Sequence, residues 1–139
     1  MTHLLIIGGS DAGISAGLRA KELDSIVDVT LIVADNFPNY SICGIPFYLS
    51  GEVTDWRHLA HRTAEEITST GINLLLNHTA TMVDAINKSV KVVNQQGQEQ
   101  WLNYDKLVIG TGAVSVQPRI KGLDNKGVFL LHSMGDTFA

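Results

Sequence analysis

His3-Leu4-Leu5-Ile6-Ile7-Gly8-Gly9-Ser10-Asp11-Ala12-Gly13 decides the fold of this chain. An apolar run from His3 to Ile7 has the length and continuity of a buried strand, and the glycine-rich turn after it leads into an Ala-rich, Leu-bearing helical stretch that reaches about Leu23. A second apolar run, Asp28 to Val33, follows. Two continuous β-runs around a helix make a parallel βαβ unit with both sheet faces covered and a right-handed connection. The fold class is therefore α/β, with a central parallel sheet of the doubly wound, Rossmann-like kind.

Outward from that unit, Thr63-Ala64-Glu65-Glu66 is a capping box that starts a helix, and Gly71 should stop it. Ile72 to Leu76 is a further buried strand. Thr79 to Ile86, Ser89 to Asn94 and Gln100 to Tyr104 alternate more, and turn-forming residues separate them, so they predict a small antiparallel β-meander. Lys106 to Ile109 returns to the buried pattern and meets a second glycine turn, Gly110-Thr111-Gly112-Ala113. A last short strand is expected over Val128 to Leu131, before a second capping box at Ser133-Met134-Gly135-Asp136. No repeat or interdomain linker interrupts this order, so residues 1–139 form one domain.

Composition narrows the function classes. With 139 residues, 45% of them hydrophobic, and a net charge of −4, the chain has enough apolar content for a real core. Basic residues are scattered and outnumbered by acidic ones, 10 to 14, which argues against a nucleic-acid or anionic-membrane partner. No apolar run reaches membrane-spanning length, and the apolar start lacks a basic leader and a cleavage site, so the expected location is the cytoplasm. The only cysteine, Cys43, cannot form an internal disulfide.

A strand-to-helix turn presents backbone N–H groups at the positive end of a helix, where a pyrophosphate binds without lysine or arginine. Here Ser10 stands at the middle glycine of the G-x-G-x-x-G pattern, so the surrounding strand–helix–strand order carries the reading. The competing reading is a tight turn whose glycines serve packing alone. Asp35, just past the second strand, is placed to accept hydrogen bonds from ribose hydroxyls, or else it is a loop aspartate; Ala34 can offer only its backbone.

Tyr40-Ser41-Ile42-Cys43-Gly44-Ile45-Pro46-Phe47-Tyr48-Leu49 sets the cysteine just before a proline that can open a helix. A helix start favours a thiolate, which makes Cys43 a candidate redox or nucleophilic sulfur; the alternative is a small buried hydrophobe. His58 and His61 share an i, i+3 spacing but lack a third ligand, so no metal site is expected and they read as surface histidines. Trp56 and Trp101 read as packing residues. No nucleophile-elbow sequence supports a hydrolase.

With the first glycine turn, the Cys-Gly-Ile-Pro-Phe-Tyr-Leu-Ser-Gly stretch and Tyr104 to Ala113 in this order, the chain resembles the FAD-binding part of the pyridine nucleotide-disulfide oxidoreductases. More narrowly, it is similar to the branch with a single redox cysteine: coenzyme A-disulfide reductases, NADH oxidases and NADH peroxidases. The resemblance implies that Cys43 faces the flavin and cycles through a mixed disulfide or sulfenic acid. It places Gly8, Gly9, Ser10, Asp11, Ala12 and Gly13 around the FAD pyrophosphate, the Ala80 backbone at adenine, and Thr111, Gly112 and Ala113 over the flavin side. Ser15 and Arg19 match positions that contact coenzyme A.

Two departures qualify the match. Asp11 stands where oxidases and peroxidases of this branch carry an active-site histidine, which favours a disulfide or persulfide acceptor over peroxide or oxygen. Ile42 replaces an asparagine common in coenzyme A-disulfide reductases, which puts coenzyme A itself in question. The resemblance further implies an NAD(P)H-binding domain and a dimerisation domain. Neither fits in this length, so the chain is expected to be the N-terminal part of a longer, homodimeric protein that takes NAD(P)H as co-substrate and a small-molecule disulfide or related acceptor. The rival functions are an NADH oxidase, a non-catalytic FAD-binding redox sensor, and a plain NAD-binding Rossmann domain with an inert cysteine.

Overall fold

The computed structural model describes residues 1–139. Its centre is a parallel sheet of β1 (His3–Ile7), β2 (Asp28–Ile32), β3 (Ile72–Leu75) and β7 (Lys106–Ile109), in the order β3-β2-β1-β7. Ile6 lies opposite Leu31 on one side and Val108 on the other. The helix α1 (Asp11–Leu23) connects β1 to β2, as the opening residues predict.

Successive side chains of β1 serve two cores, which is why the run is continuous rather than alternating. Ile6 packs with Val29, Leu31, Ile14 of α1 and Ile67 on one face of the sheet. Leu5, Ile7 and Ile32 pack on the other face with Val90 and Val92. Leu5, Ile6 and Leu31 are completely buried, worth roughly 2 kcal/mol each. The layer over that second face is the meander β4 (His78–Asp84), β5 (Ser89–Asn94) and β6 (Glu99–Asn103), antiparallel in the order β4-β5-β6.

A short helix α2 (Ile45–Leu49) follows the cysteine, and α3 (Ala64–Ser69) covers the first core with Ile67. The Thr63 hydroxyl accepts from Glu66 N–H at 3.2 Å, while the Glu66 carboxylate accepts from Thr63 N–H at 2.7 Å. Gly71, at φ +84°, turns the chain out of the helix where the sequence predicts its stop. The final helix α4 (Met134–Thr137) carries the second predicted capping box, and its Met134 joins Ile45 and Leu59 in a third small core.

Some expectations fail. Val128 to Leu131 forms no strand, and Val128, Phe129 and Leu131 are exposed. A β-run needs a neighbouring edge to complete its hydrogen bonds, and no strand of the sheet pairs with this one. Trp101 is 49% exposed on the edge strand β6, so it is only half a packing residue. Ile86 falls in the turn after β4 rather than within the strand, 95% exposed. The strands at His3–Ile7, Ser89–Asn94 and Lys106–Ile109 have the expected bounds, and apart from the end of β4 the other strand ends differ by one residue at most. No helix is long and apolar enough to cross a membrane.

Candidate functional site

The first glycine turn is built by close backbone approach. Gly8 adopts φ +115° and donates its N–H to the Ile32 carbonyl at 2.9 Å. A Cβ on Gly8 would lie 2.1 Å from the Gly110 carbonyl oxygen, and one on Gly13 would lie 1.9 Å from the Gly8 oxygen. Side chains there would force β1, β7 and α1 apart. Packing therefore demands these glycines, and the same packing brings the two glycine turns side by side. The main chain of α1 first bonds at Ile14 N–H to Ser10 C=O, 3.0 Å, and Ser10 makes no side-chain cap. The amides ahead of Ile14 are left for an outside acceptor at the positive end of a thirteen-residue helix.

Beside this turn lies a cleft of about 300 Å³. Gly8, Gly9, Ser10, Ala34, Asp35, Ala80, Thr111, Gly112 and Ala113 all line it, so residues picked from four separate places in the sequence meet there. Asp35 is at once a loop aspartate and a residue of the cleft wall. Its Oδ1 accepts from Phe37 N–H at 2.8 Å, fixing the loop, while Oδ2 takes part in no hydrogen bond within the chain. The walls also contain Ile42, singled out in the sequence as the cysteine's neighbour, and Phe37, Tyr40, His78, Thr79, His132, Ser133 and Met134, none of which the sequence reading placed at the site. His78 and Thr79 had a signal, since they precede Ala80 on the same strand. The His78 Nδ1 sits 2.7 Å from the Leu76 carbonyl, an acceptor only, so Nδ1 carries the proton and Nε2 is the unprotonated ring nitrogen when the ring is neutral.

Cys43 stands at the rim. It is exposed, within a 3-10 turn over Ile42–Gly44, and its neighbour Ile42 lines the cleft although Cys43 does not. Pro46 lies in the first turn of α2 as predicted, but α2 has only five residues, so its dipole gives the sulfur less support than a full helix would. What holds the segment is local pairing. Ser41 Oγ accepts from Gly44 N–H at 3.1 Å, Ser41 N–H donates to Leu59 C=O at 2.8 Å, and Tyr40 forms an antiparallel bridge with Ala60.

Beneath the segment is an aromatic cluster. Tyr40 stacks on Trp56 at 5.8 Å, and Phe37 meets both edge-on at 5.5 and 5.8 Å. Burial pushes the Tyr40 phenol above its ordinary value against the pull of the Arg57 guanidinium. Arg57 grips Asp55 with both Nε and Nη2, and those side-chain bonds, followed by the Arg57 N–H, hold the Asp55 carboxyl down at about 2.

The other sequence candidates lie outside the cleft. Gly13 is buried behind the turn, and Asp11, Ala12, Ser15 and Arg19 are exposed on α1. Asp11 accepts from the Asn39 amide at 2.9 Å, and Arg19 is paired with Glu22 at 2.9 Å on the surface. His58 lies within a single 3-10 turn that ends at Leu59, and the backbone at Ala60 is extended before His61, so the two exposed histidines do not share a helical face. No three His, Cys, Asp or Glu side chains gather where they could hold a metal ion.

Comparison with known proteins covers nearly the whole chain. Residues 2–138 match the family model described as pyridine nucleotide-disulphide oxidoreductase. An NADH oxidase of Methanocaldococcus jannaschii is 30% identical over 95% of this chain and 30% of its own length. An NAD(P)H coenzyme A polysulfide/persulfide reductase of Pyrococcus horikoshii is 33% identical over 98% of this chain and 30% of its own length. Among solved structures, an NAD-dependent persulfide reductase from A. fulgidus superposes with a TM-score of 0.91 at 33% identity, covering 98% of this chain and 26% of that one. The chain thus spans less than a third of the length of these relatives.

Proposed function

We propose, from the premise that this chain belongs to the pyridine nucleotide-disulphide oxidoreductase family, that it is the FAD-binding portion of an NAD(P)H-dependent flavoprotein reductase whose redox sulfur is Cys43. The observation that carries this reading is the convergence of both glycine turns, Asp35 and Ala80 on one cleft, with Ile42 in its wall and Cys43 next to it. These residues fit a dinucleotide. The uncapped start of α1 offers amides to a diphosphate, and the free Asp35 Oδ2 offers an acceptor to ribose hydroxyls. Gly112, at φ +65° with nothing within 4 Å of its would-be Cβ, leaves the second turn open.

Bound FAD would supply the electron-pair relay from NAD(P)H, a chemistry no side chain here provides. The chain's own contribution is to hold the diphosphate, exclude bulk water with Phe37, Tyr40 and Ile42, and present Cys43 Sγ to an acceptor sulfur. The Cys43 thiolate attacks the acceptor's S–S bond, expels one of its sulfurs as a thiolate and bonds the other; two electrons then cleave that new bond, returning the cysteine thiolate and releasing the second sulfur as a thiolate. A disulfide or persulfide of low molecular weight suits this chemistry, and the persulfide reductases among the relatives support it. Asp11 supports it over an oxidase, because it stands where the oxidases and peroxidases that the chain resembles carry a histidine.

The test has two parts. Purified chain titrated with FAD should take up one flavin per chain with a perturbed absorbance, and failure to do so would remove the flavin reading. In the longer protein, Cys43→Ser should keep the flavin and lose at least a hundredfold in NAD(P)H-dependent disulfide reduction; an unchanged rate would remove the thiol mechanism alone.

A further inference from the structure

Asn39 lies four residues before the cysteine and combines features that a loop position rarely needs. It is 1% exposed, although asparagine is usually a surface residue. Its φ of 59° is left-handed, and its Oδ1 is buried with no partner. Strain and an unsatisfied buried acceptor are both adverse, and they persist where the surrounding structure over-determines them for a purpose.

Its remaining groups are all committed, each to a different part of the site. Asn39 N–H donates to Gly9 C=O at 2.6 Å and its C=O accepts from His61 N–H at 2.9 Å. Its Nδ2 donates to Asp11 Oδ1 at 2.9 Å. One residue therefore joins the glycine turn, the start of α1 and the strand-like stretch that backs the cysteine segment. Little slack separates it from the sulfur, since Tyr40 is bridged to Ala60 and Ser41 bonds both Leu59 and Gly44.

We infer that Asn39 is a positioning residue, whose side-chain bond to Asp11 sets where Cys43 stands relative to the dinucleotide turn. The inference rests on the role given to Cys43 above. Because Cys43 is the only cysteine, its alkylation by iodoacetamide reads one thiol without interference. Asn39→Gly is the decisive variant, as glycine keeps the left-handed backbone and both main-chain bonds while deleting the amide. Without FAD at neutral pH, Asn39→Gly should alkylate at least fivefold faster than the natural chain, and Asp11→Ala should do the same. The double variant should be no faster than either single one, because both delete one interaction.

The FAD titration of Asn39→Gly, run in parallel, should give an affinity within threefold of the natural chain. An alkylation rate within twofold of the natural chain in Asn39→Gly, or single-variant effects that multiply in the double variant, would overturn the inference. So would a loss of FAD affinity in proportion to the gain in rate, which would mark Asn39 as a general structural support. If no variant, nor the natural chain, binds FAD while the alkylation pattern holds, the flavin reading fails and the positioning role stands.

Discussion

The glycine turn at Gly8–Gly13 and the cysteine segment at Tyr40–Leu49 border one cleft, yet they are held in place by different means. The turn hangs on the parallel sheet: Gly8 bonds Ile32, Gly110 bonds Ile7 at 2.7 Å, and backbone stands against backbone with no room for a Cβ. The segment has no sheet behind it. It depends on a few main-chain bonds to another loop, Leu59 to His61, and on side chains: the Phe37, Tyr40 and Trp56 rings, the Ser41 hydroxyl and the Asn39 amide. The part that would hold a cofactor is rigid through its main chain, whereas the part that would do the chemistry is tuned by replaceable groups.

The sharpest way to break the contrast is Gly8→Ala, which meets both a wrong φ and a backbone carbonyl that cannot move. It should cost about 3 kcal/mol or more in a chemical denaturation curve. On the segment side, Trp56→Ala empties the aromatic cluster and should cost about 2 to 3 kcal/mol. Its further effect should be faster hydrogen exchange over Tyr40 to Gly44 and no change over Gly8 to Gly13. Equal loosening of both would show that the two regions are one unit. Gly112→Ala sharpens the account of the turns: with open space around it, only its φ of +65° resists, for about 1 kcal/mol.

The smallest expected effect is a response to acid. Asp55, Asp84 and Asp136 have carboxyls held below the ordinary range, by Arg57, Asn87 and Ser133 respectively. The folded chain thus gives up these protons more readily than the unfolded one. Their stabilisation is present above the ordinary carboxylate range of about 4 and drains away as pH falls through it, for Asp55 down to about 2. An acid titration followed by circular dichroism should be shallower in Asp136→Asn, the variant that affects α4 beside the cleft, and unchanged if that carboxylate has no role.

The same contrast explains what the sequence disclosed. The strand His3–Ile7 and the helix to Leu23 were legible because a run buried on both faces and a glycine turn leave local marks. One wall of the cleft followed, since Gly8, Gly9 and Ser10 form the turn between those two elements. Asn39 was illegible: its burial and left-handed backbone arise from contacts with Gly9, Asp11 and His61, distant in sequence. His132, Ser133 and Met134 reach the cleft from the chain's far end, which a capping box does not announce. Val128 to Leu131 shows the opposite failure, a local β signal without an edge to satisfy it.

The central claim is that the cleft between the two glycine turns is the dinucleotide site. Titrating isotope-labelled chain with FAD and following backbone amide resonances tests it directly. The account predicts that Gly9, Ser10, Ala80, Thr111 and Gly112 shift together and saturate at one equivalent, while Arg19 and Trp101 stay put. FAD that leaves these cleft amides unmoved, or shifts a different surface, would contradict it.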